Sequence, residues 1–388
     1  ATRGPAGRLT IRRSSVGEVS PAVWDALVDR SPFATPFSRW AFHRAWWDGY
    51  GASAHEETLL VEDPAAPAGS GPVAIVPLMH RHEVEPGDAE GRSTIRHGRE
   101  EALTPVEPTA KAIFFGASYH ADYATILAGP ADLPAVAAAL VSHLAAPAAP
   151  EDDHPTPWDV VDLRRLRCGD PASDALADAF EAAASAAGWT VVREREDVCP
   201  VVTLPENVDF EGFLDTLDKK ARHEIRRKIR RAEAAGLVVL AESADPLADL
   251  PAFIDFHQAR WGERGLFPAN PGGDASRRFI RRLFEAFGPD GPVRLSFLTV
   301  DGRRIGAAIH FDDGRSYSYY NAGLDPDARD LSPGVIMVAR YVAAAIGAGR
   351  GRLDFLRGDE SYKYEWGAVD EPIERILVSR ARAAAAGR

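Results

Sequence analysis

The chain is predicted to be an α/β (α+β) protein built as two units, each a mixed, mostly antiparallel sheet flanked by helices. Its 388 residues, 45% hydrophobic and 26% charged, are more than one core usually organises. Stretches of two-residue alternation are interleaved with stretches whose apolar residues recur every three to four positions. Arg294–Val300 and Arg304–Asp312 flank Asp301-Gly302, a strong hairpin signal, and a strand, a helix and a last strand follow them.

The first part reads as a strand over Leu9–Arg12, helices over Pro21–Ser31 and Trp40–Tyr50, and strands over Glu57–Glu62 and Gly71–His80. The proline- and glycine-rich stretch between those last two is a hairpin connection. Glu83–Thr104 is charged and predicts an exposed loop. A strand over Ala112–Phe115, a helix over Leu133–Ala145 and a strand over Asp159–Leu163 complete the unit, and Ala149–Pro157 has a linker's composition. Domains are expected at 1–165 and 166–388, with the helix near 170–188, stopped by Gly188, bridging them.

The second part begins with strands over Thr190–Arg195 and Cys199–Leu204. Helices over Phe210–Leu217 and Asp218–Ala235 follow, the latter with Asp218 as N-cap and Gly236 as stop. Val238–Glu242 is a strand, and Leu250–Glu263 and Ser276–Phe287 are amphipathic helices. After the hairpin come a strand over Ser316–Leu324, a helix over Pro333–Ala348, and strands over Leu353–Leu356 and Ile373–Arg380. The rhythm of the first half is similar enough to suggest duplication.

Net charge is −12, so the whole molecule is not a cation seeking nucleic acid or an anionic membrane. Two cysteines, Cys168 and Cys199, argue against a disulfide framework or a cysteine zinc site and favour a reducing compartment. No metal-ligand spacing, nucleophile elbow or Walker loop occurs, so no metal is expected. The alanine-rich stretch 131–149 is interrupted by Pro134, His143 and Pro147 and predicts no membrane span, and Ala1–Arg13 lacks a signal-type apolar core. A cytoplasmic location is the expectation.

Chemistry is expected between Arg294 and Gly367. The turn Arg329-Asp330-Leu331-Ser332-Pro333-Gly334 opens a helix, whose free amides and dipole suit a phosphate. Lys363 lies among Tyr362, Tyr364 and Trp366, which shield its charge, and it is one of only five lysines among 45 basic residues. His310 and Asp354 are candidates to manage an amine proton, though each also reads as a buried structural group. Residues 219–231 form a basic helix with an apolar stripe at Ala221, Ile225, Ile229 and Ala232, and a phosphate-rich partner would suit its Arg222, Arg226 and Arg230.

These residues resemble the GNAT-like acyltransferases of the CelD-like group, related to the Fem-type peptidoglycan aminoacyl transferases. The resemblance rests on Leu217-Asp-Lys-Lys-Ala-Arg222-His-Glu-Ile-Arg226-Arg227, Tyr320-Asn-Ala-Gly-Leu-Asp325, Ser332-Pro333-Gly334, Asp354-Phe355-Leu356-Arg357-Gly358 and Tyr362-Lys363-Tyr364-Glu365-Trp366-Gly367. It implies two GNAT-like folds in tandem, the first degenerate. It further implies acyl transfer from an acyl-CoA, acetyl-CoA or longer, to an amine acceptor on a small molecule, sugar, peptide or cell-envelope precursor. Arg329, Ser332, Gly334 and Asn321 would then bind the donor. Tyr320, Trp366, Arg222, Arg226 and Arg230 would contact substrate or phosphate, and Lys363, Asp354 and His310 would act in catalysis. The family's pyrophosphate loop reads Gln/Arg-x-x-Gly-x-Gly/Ala, and here Ser332 replaces the first glycine. The alternatives are an aminoacyl-tRNA-dependent ligase, less favoured without the long helical arm of Fem-type proteins, and a non-catalytic scaffold. No DNA partner is expected.

Overall fold

The computed structural model describes residues 9–82, 102–146 and 158–380, and falls into two compact units. Among these residues the first unit comprises 9–82, 102–146, 158–197 and 372–380, and the second comprises 198–371. The sequence placed everything after 165 in one domain. The helix at 171–187 and the chain's last strand instead pack with the first unit, because Leu176, Phe180, Ile376 and Val378 share one core with Leu59, Val136 and Leu163. The expected loop 83–104, apart from its end at 102–104, and the linker 149–157 lie outside the described residues.

The first unit runs β1 (Thr10–Ser14), α1 (Pro21–Arg30), α2 (Trp40–Tyr50), β2 (His55–Glu56), β3 (Thr58–Glu62), β4 (Ala74–Val76), β5 (Leu78–Arg81), β6 (Ala112–Phe115), β7 (Leu127–Ala128), α3 (Leu133–Ala145), β8 (Val160–Arg167), α4 (Pro171–Ala187) and the first part of β9 (Trp189–Thr203). Strands β1, β3, β4 and β7 form one small sheet. The expected single strand over 71–80 is split between two sheets, as β4 and β5. Pro77, which has no N–H for a ladder, sits at the break, and its carbonyl accepts from Gly116 N–H at 2.9 Å. The two strands expected at 190–204 are instead one long strand, β9.

Strand β15 (Val369–Arg380) pairs antiparallel with β8, and β8 pairs parallel with β6. Arg375 on β15 is 1% exposed and is held by a bidentate pair to Asp162, with Nε–Oδ1 at 2.6 Å and Nη2–Oδ2 at 2.8 Å. Its remaining nitrogen donates to Thr104 O and to Glu194. A buried guanidinium is tolerable only when all its donors are used in this way.

The second unit contains α5 (Phe210–Thr216), α6 (Lys219–Ala235), β10 (Val238–Glu242), α7 (Pro246–Trp261), α8 (Pro271–Phe287), β11 (Val293–Val300), β12 (Arg303–Asp312), β13 (Ser316–Leu324), α9 (Pro333–Gly347), β14 (Arg352–Asp354) and the single turn α10 (Ser361–Tyr364). As the sequence indicates, Asp218 caps α6, accepting from the Lys220 and Ala221 amides. Asp301 and Gly302, both at positive φ, turn the β11–β12 hairpin. The sheet runs β10-β11-β12-β13-β14, and β14 pairs antiparallel with the Val201–Thr203 end of β9.

Two features of this sheet shape the site. First, β13 carries a bulge: Ile309 and His310 are neighbours on β12, but their partners Asn321 and Tyr319 skip Tyr320. The extra residue switches the faces of β13. Before it, Tyr317 and Tyr319 point at Tyr341 of α9; after it, Leu324 lies toward Gly334 of α9 and Gly323 faces α7. A Cβ on Gly323 would lie 2.3 Å from the His257 amide nitrogen, so only glycine lets α7 approach this closely. Second, β13 and β14 are parallel partners only from Ser316↔Arg352 to Ser318↔Asp354, and then diverge. The predicted strand 353–356 stops at Asp354 because its Oδ1 accepts the Leu356 N–H at 2.8 Å and Leu356 turns to φ 57°. The result is a fork in the sheet, with Tyr319–Leu324 lacking a β14 partner.

Candidate functional site

The N-terminus of α9 opens beside this fork. Pro326–Leu331 form a short 3-10 turn, the Arg329 carbonyl accepts from Ser332 N–H at 2.9 Å, and Ser332 itself adopts φ 55°, ψ 53°. That left-handed conformation costs a side-chain-bearing residue about 1–2 kcal/mol and costs glycine almost nothing. The Gly-to-Ser departure therefore changes the residue while the turn keeps its glycine-like backbone. The Ser332 carbonyl accepts from Val335 and Ile336, which leaves the Gly334 amide without an acceptor among the described residues. Arg231 of α6 reaches this turn, its Nη2 2.6 Å from Ser332 Oγ. A free helix-terminal amide and an adjacent guanidinium make a site for a phosphate-type anion.

At the fork itself, Lys363 is 2% exposed. Its Nζ donates to the carbonyls of Leu356 at 3.2 Å, Arg357 at 2.9 Å and Gly358 at 3.0 Å. An ammonium has three N–H donors, so none is left for a donor phosphate or an oxyanion. Lys363 is thus a clamp on the loop after β14, and the expected charge stabilisation would need one of these three protons redirected. The Glu360 carboxylate lies 2.9 Å from Nζ, yet Oε2 has no hydrogen-bond donor because the ammonium protons are already committed. Asp354 is likewise occupied, as the acceptor that turns Leu356.

Aromatic side chains pack between β13 and the loop after β14. Tyr319 lies 6.2 Å from Phe355, and Phe355 lies 5.8 Å from Tyr362, ring to ring. Burial pushes the Tyr319 phenol up to about 12 and raises that of Tyr362 as well, so both are neutral hydroxyls. Arg260, at the end of α7, sits 4.7 Å over the Trp261 ring, and its charge bears on Tyr319, Tyr362 and His257.

The other expected residues divide. His310 is 1% exposed, between the rings of Tyr317 and Tyr341, with Nδ1 3.1 Å from the Tyr341 hydroxyl. Burial lowers its pKa to about 3, and it faces the core against α9, where no substrate amine reaches; the expectation of a cleft-facing base is corrected. Trp366, 1% exposed, belongs to the same core and does not line a substrate surface. Arg226 is bound to Glu211 and Asp215 of α5, and Arg222 donates to the Asp215 carbonyl, so both brace α6 on α5. Arg230 is exposed, with no ion-pair partner among the described residues. Tyr320 is the bulged residue, packed 5.2 Å from Phe311, and Asn321 follows it on the unpaired stretch of β13. Arg329 is exposed on the α9 turn, and a Cβ on Gly334 would lie 3.2 Å from Leu324 Cδ1.

Arg231, Glu360, Arg260 and Tyr319 were not singled out from sequence, and Tyr362 only as a shield for Lys363. Only the contact of α6 with α9 decides that Arg231, and not its neighbour Arg230, reaches the turn. Among the described residues no cluster of His, Cys, Asp or Glu is arranged to hold a metal ion, and no helix is long and apolar enough to cross a membrane.

Residues 219–364 match the family model of the acetyltransferase (GNAT) domain. No curated protein matches the chain in sequence. Among solved structures, that of FemX is similar with a TM-score of 0.56 at 12% identity, covering 92% of this chain and 96% of that one. A conserved protein of unknown function from Bacteroides thetaiotaomicron gives 0.55 at 11% identity, covering 96% and 100%. A tandem GNAT protein from the clavulanic acid biosynthesis pathway gives 0.50 at 9% identity, covering 96% and 98%. At such identities the likeness is one of fold. Residues 219–364 thus match the GNAT domain model, and the fold of the chain is similar to the folds of FemX and of a tandem GNAT protein.

Proposed function

We propose that the protein is an N-acyltransferase that moves an acyl group from an acyl-CoA thioester to an amine at the fork of the second unit. The observation that carries this reading is the α9 turn, where Ser332 keeps a glycine-like backbone, the Gly334 amide is free and Arg231 supplies a cation. Together they fit a pyrophosphate, with Arg329 exposed beside them. The unpaired edge of β13 after the bulge, including Asn321, offers backbone groups to an extended amide chain.

Bound acyl-CoA supplies an activated carbonyl and a thiolate leaving group. The acceptor's neutral amine attacks that carbonyl, a C–N bond forms and the C–S bond breaks. The amine proton passes to the Glu360 carboxylate, whose side chain is 31% exposed while its Oε2 is held 2.9 Å from Lys363 Nζ, and the thiolate takes a proton from water. Lys363 acts at one remove, fixing the loop that carries Glu360. The amine acceptor is proposed to be a small molecule or a sugar- or peptide-linked cell-envelope precursor.

Binding of acetyl-CoA and longer thioesters, followed by thermal stabilisation and isothermal calorimetry, tests the reading. Saturable binding weakened by Arg231→Gln supports it; no binding at millimolar thioester would end it. A second reading, with aminoacyl-tRNA as donor, is favoured by one observation. Lys219, Lys220, His223 and Arg230 are exposed on α6 without ion-pair partners among the described residues, in a chain of net charge −12. Affinity for tRNA that falls steeply with salt and with Lys219→Ala/Lys220→Ala would favour it.

A further inference from the structure

A serine at the start of a helix ordinarily turns its hydroxyl back onto the second or third amide of the first turn. Ser332 does not. It stands before Pro333 of α9 in the left-handed conformation, and its side chain makes no capping hydrogen bond. Its Oγ instead accepts from Arg231 Nη2 at 2.6 Å, from a different helix 101 residues earlier in the chain. Ser332 thus carries backbone strain that glycine would avoid and gains no cap in return.

The missing cap and the cross-helix contact act on the same spot. A capping hydroxyl would occupy the amide of Gly334 or Val335, the second and third residues of α9. Pro333 has no N–H, and the Val335 and Ile336 amides bond the Ser332 carbonyl, so turning the hydroxyl away leaves the Gly334 N–H open. Arg231 makes no ion pair among the described residues, and the Ser332 contact is its one side-chain hydrogen bond there, so most of its N–H fork is uncommitted. Local strain that nothing in the turn relieves points to a role for the group it places.

We infer that Ser332 is a positioning residue for the donor: its hydroxyl, withheld from the cap, holds the Arg231 guanidinium at the turn so that a donor phosphate meets a backbone N–H and a charged fork together. This rests on reading the turn as the acyl-CoA site. A free arginine side chain loses rotamer freedom when it binds a phosphate, and a tethered one has lost it beforehand. Glycine at 332, the residue of the family's loop, would ease the backbone and release the cation. Serine is therefore the better residue here for phosphate binding, because the cation comes from α6 and needs an anchor on α9.

The test runs against the family pattern. Calorimetry on the full chain is expected to show Ser332→Gly binding acetyl-CoA about fivefold more weakly than the native protein, although the substitution restores the family's glycine. Acetyl-pantetheine, a thioester without phosphates, is expected to bind both proteins equally, which a general loosening of the site would not allow. In an Arg231→Gln background, Ser332→Gly should change acetyl-CoA affinity by about twofold or less, because the two residues act as one unit. Thermal midpoints of each variant establish that it is folded. Acetyl-CoA binding by Ser332→Gly as tight as the native protein's or tighter overturns the inference. So do equal losses for the two thioesters, or effects of the two substitutions that simply multiply. Inorganic pyrophosphate is titrated on the same samples. If acetyl-CoA binds regardless of residue 332, the acyl-transfer reading stands and this inference fails. If pyrophosphate binds in a Ser332- and Arg231-dependent way while no thioester does, the donor assignment fails and the tether stands. Binding of neither ends both.

Discussion

Replacing Lys363 with methionine keeps the length and apolar stem of the side chain and removes its three donors. The carbonyls of Leu356, Arg357 and Gly358 then lose their lysine contacts, and Glu360 loses its counter-charge, all at a position 2% exposed in the native fold. Breaking a buried ionic contact of this kind costs about 3–5 kcal/mol, a large share of the roughly 5–15 kcal/mol that holds a domain folded. The loss should be local first. Amide exchange at Leu356 and Gly358, whose N–H groups bond Asp354 Oδ1 and the Val198 carbonyl, is expected to accelerate about a hundredfold or more, given that each 1.4 kcal/mol is tenfold. Adding Glu360→Gln should recover part of the stability, since the orphaned carboxylate is then neutral. Exchange of both amides within about threefold of the native protein would refute the clamp and restore Lys363 as a candidate for direct charge stabilisation.

Ser332→Gly should leave stability within about 1 kcal/mol, relief of left-handed strain offsetting the lost Arg231 contact, whereas the β-branched Ser332→Val should lose about 2 kcal/mol or more, both read from urea midpoints. Arg231→Gln should weaken acyl-CoA binding about tenfold and flatten its salt dependence, measured by calorimetry. Arg375→Met in the first unit removes the bidentate partner of buried Asp162, leaving it Arg164, and should cost about 3–5 kcal/mol, and Arg375→Lys should rescue little because it cannot reproduce the bidentate pair. For His310, burial depresses the folded pKa to about 3 from an ordinary value of 6.5. The unfolded chain therefore binds the extra proton between those values, and stability falls as pH drops from about 6.5 toward 3. His310→Asn should flatten that acid limb by up to about 1.4 kcal/mol per pH unit in urea midpoints taken from pH 7 to pH 4.

The elements of the second unit were largely legible because their signals are local: a capping aspartate before α6, Asp301-Gly302 between alternating runs, a Ser-Pro start to α9. The limits of β14 and the split at Pro77 were less so, since each depends on a partner far along the chain. Residue type pointed to the turn at Ser332–Gly334, where a left-handed Ser332 opens α9. It left Lys363 and His310 open, because burial among aromatic residues reads the same whether a group is poised for chemistry or held by its surroundings. For His310 the position in the core under α9 separates the two; for Lys363 a count of hydrogen-bond partners does, and the carbonyls that saturate it belong to backbone whose direction no side-chain pattern reports. Glu360 is an ordinary surface residue in the sequence; the turn between it and Lys363 brings its carboxylate to 2.9 Å from the buried ammonium.

The return of the last strand to the first unit has a consequence for how the protein is made. Because Ile373–Arg380 completes a core begun by Leu59 and Val61, the first unit cannot close until the ribosome has released nearly the whole described chain, whereas all of residues 198–371 have been delivered by then. The usual order of synthesis, amino-terminal domain first, is inverted. The second unit can assemble while its predecessor still waits, with a gap beside β8, for its final strand.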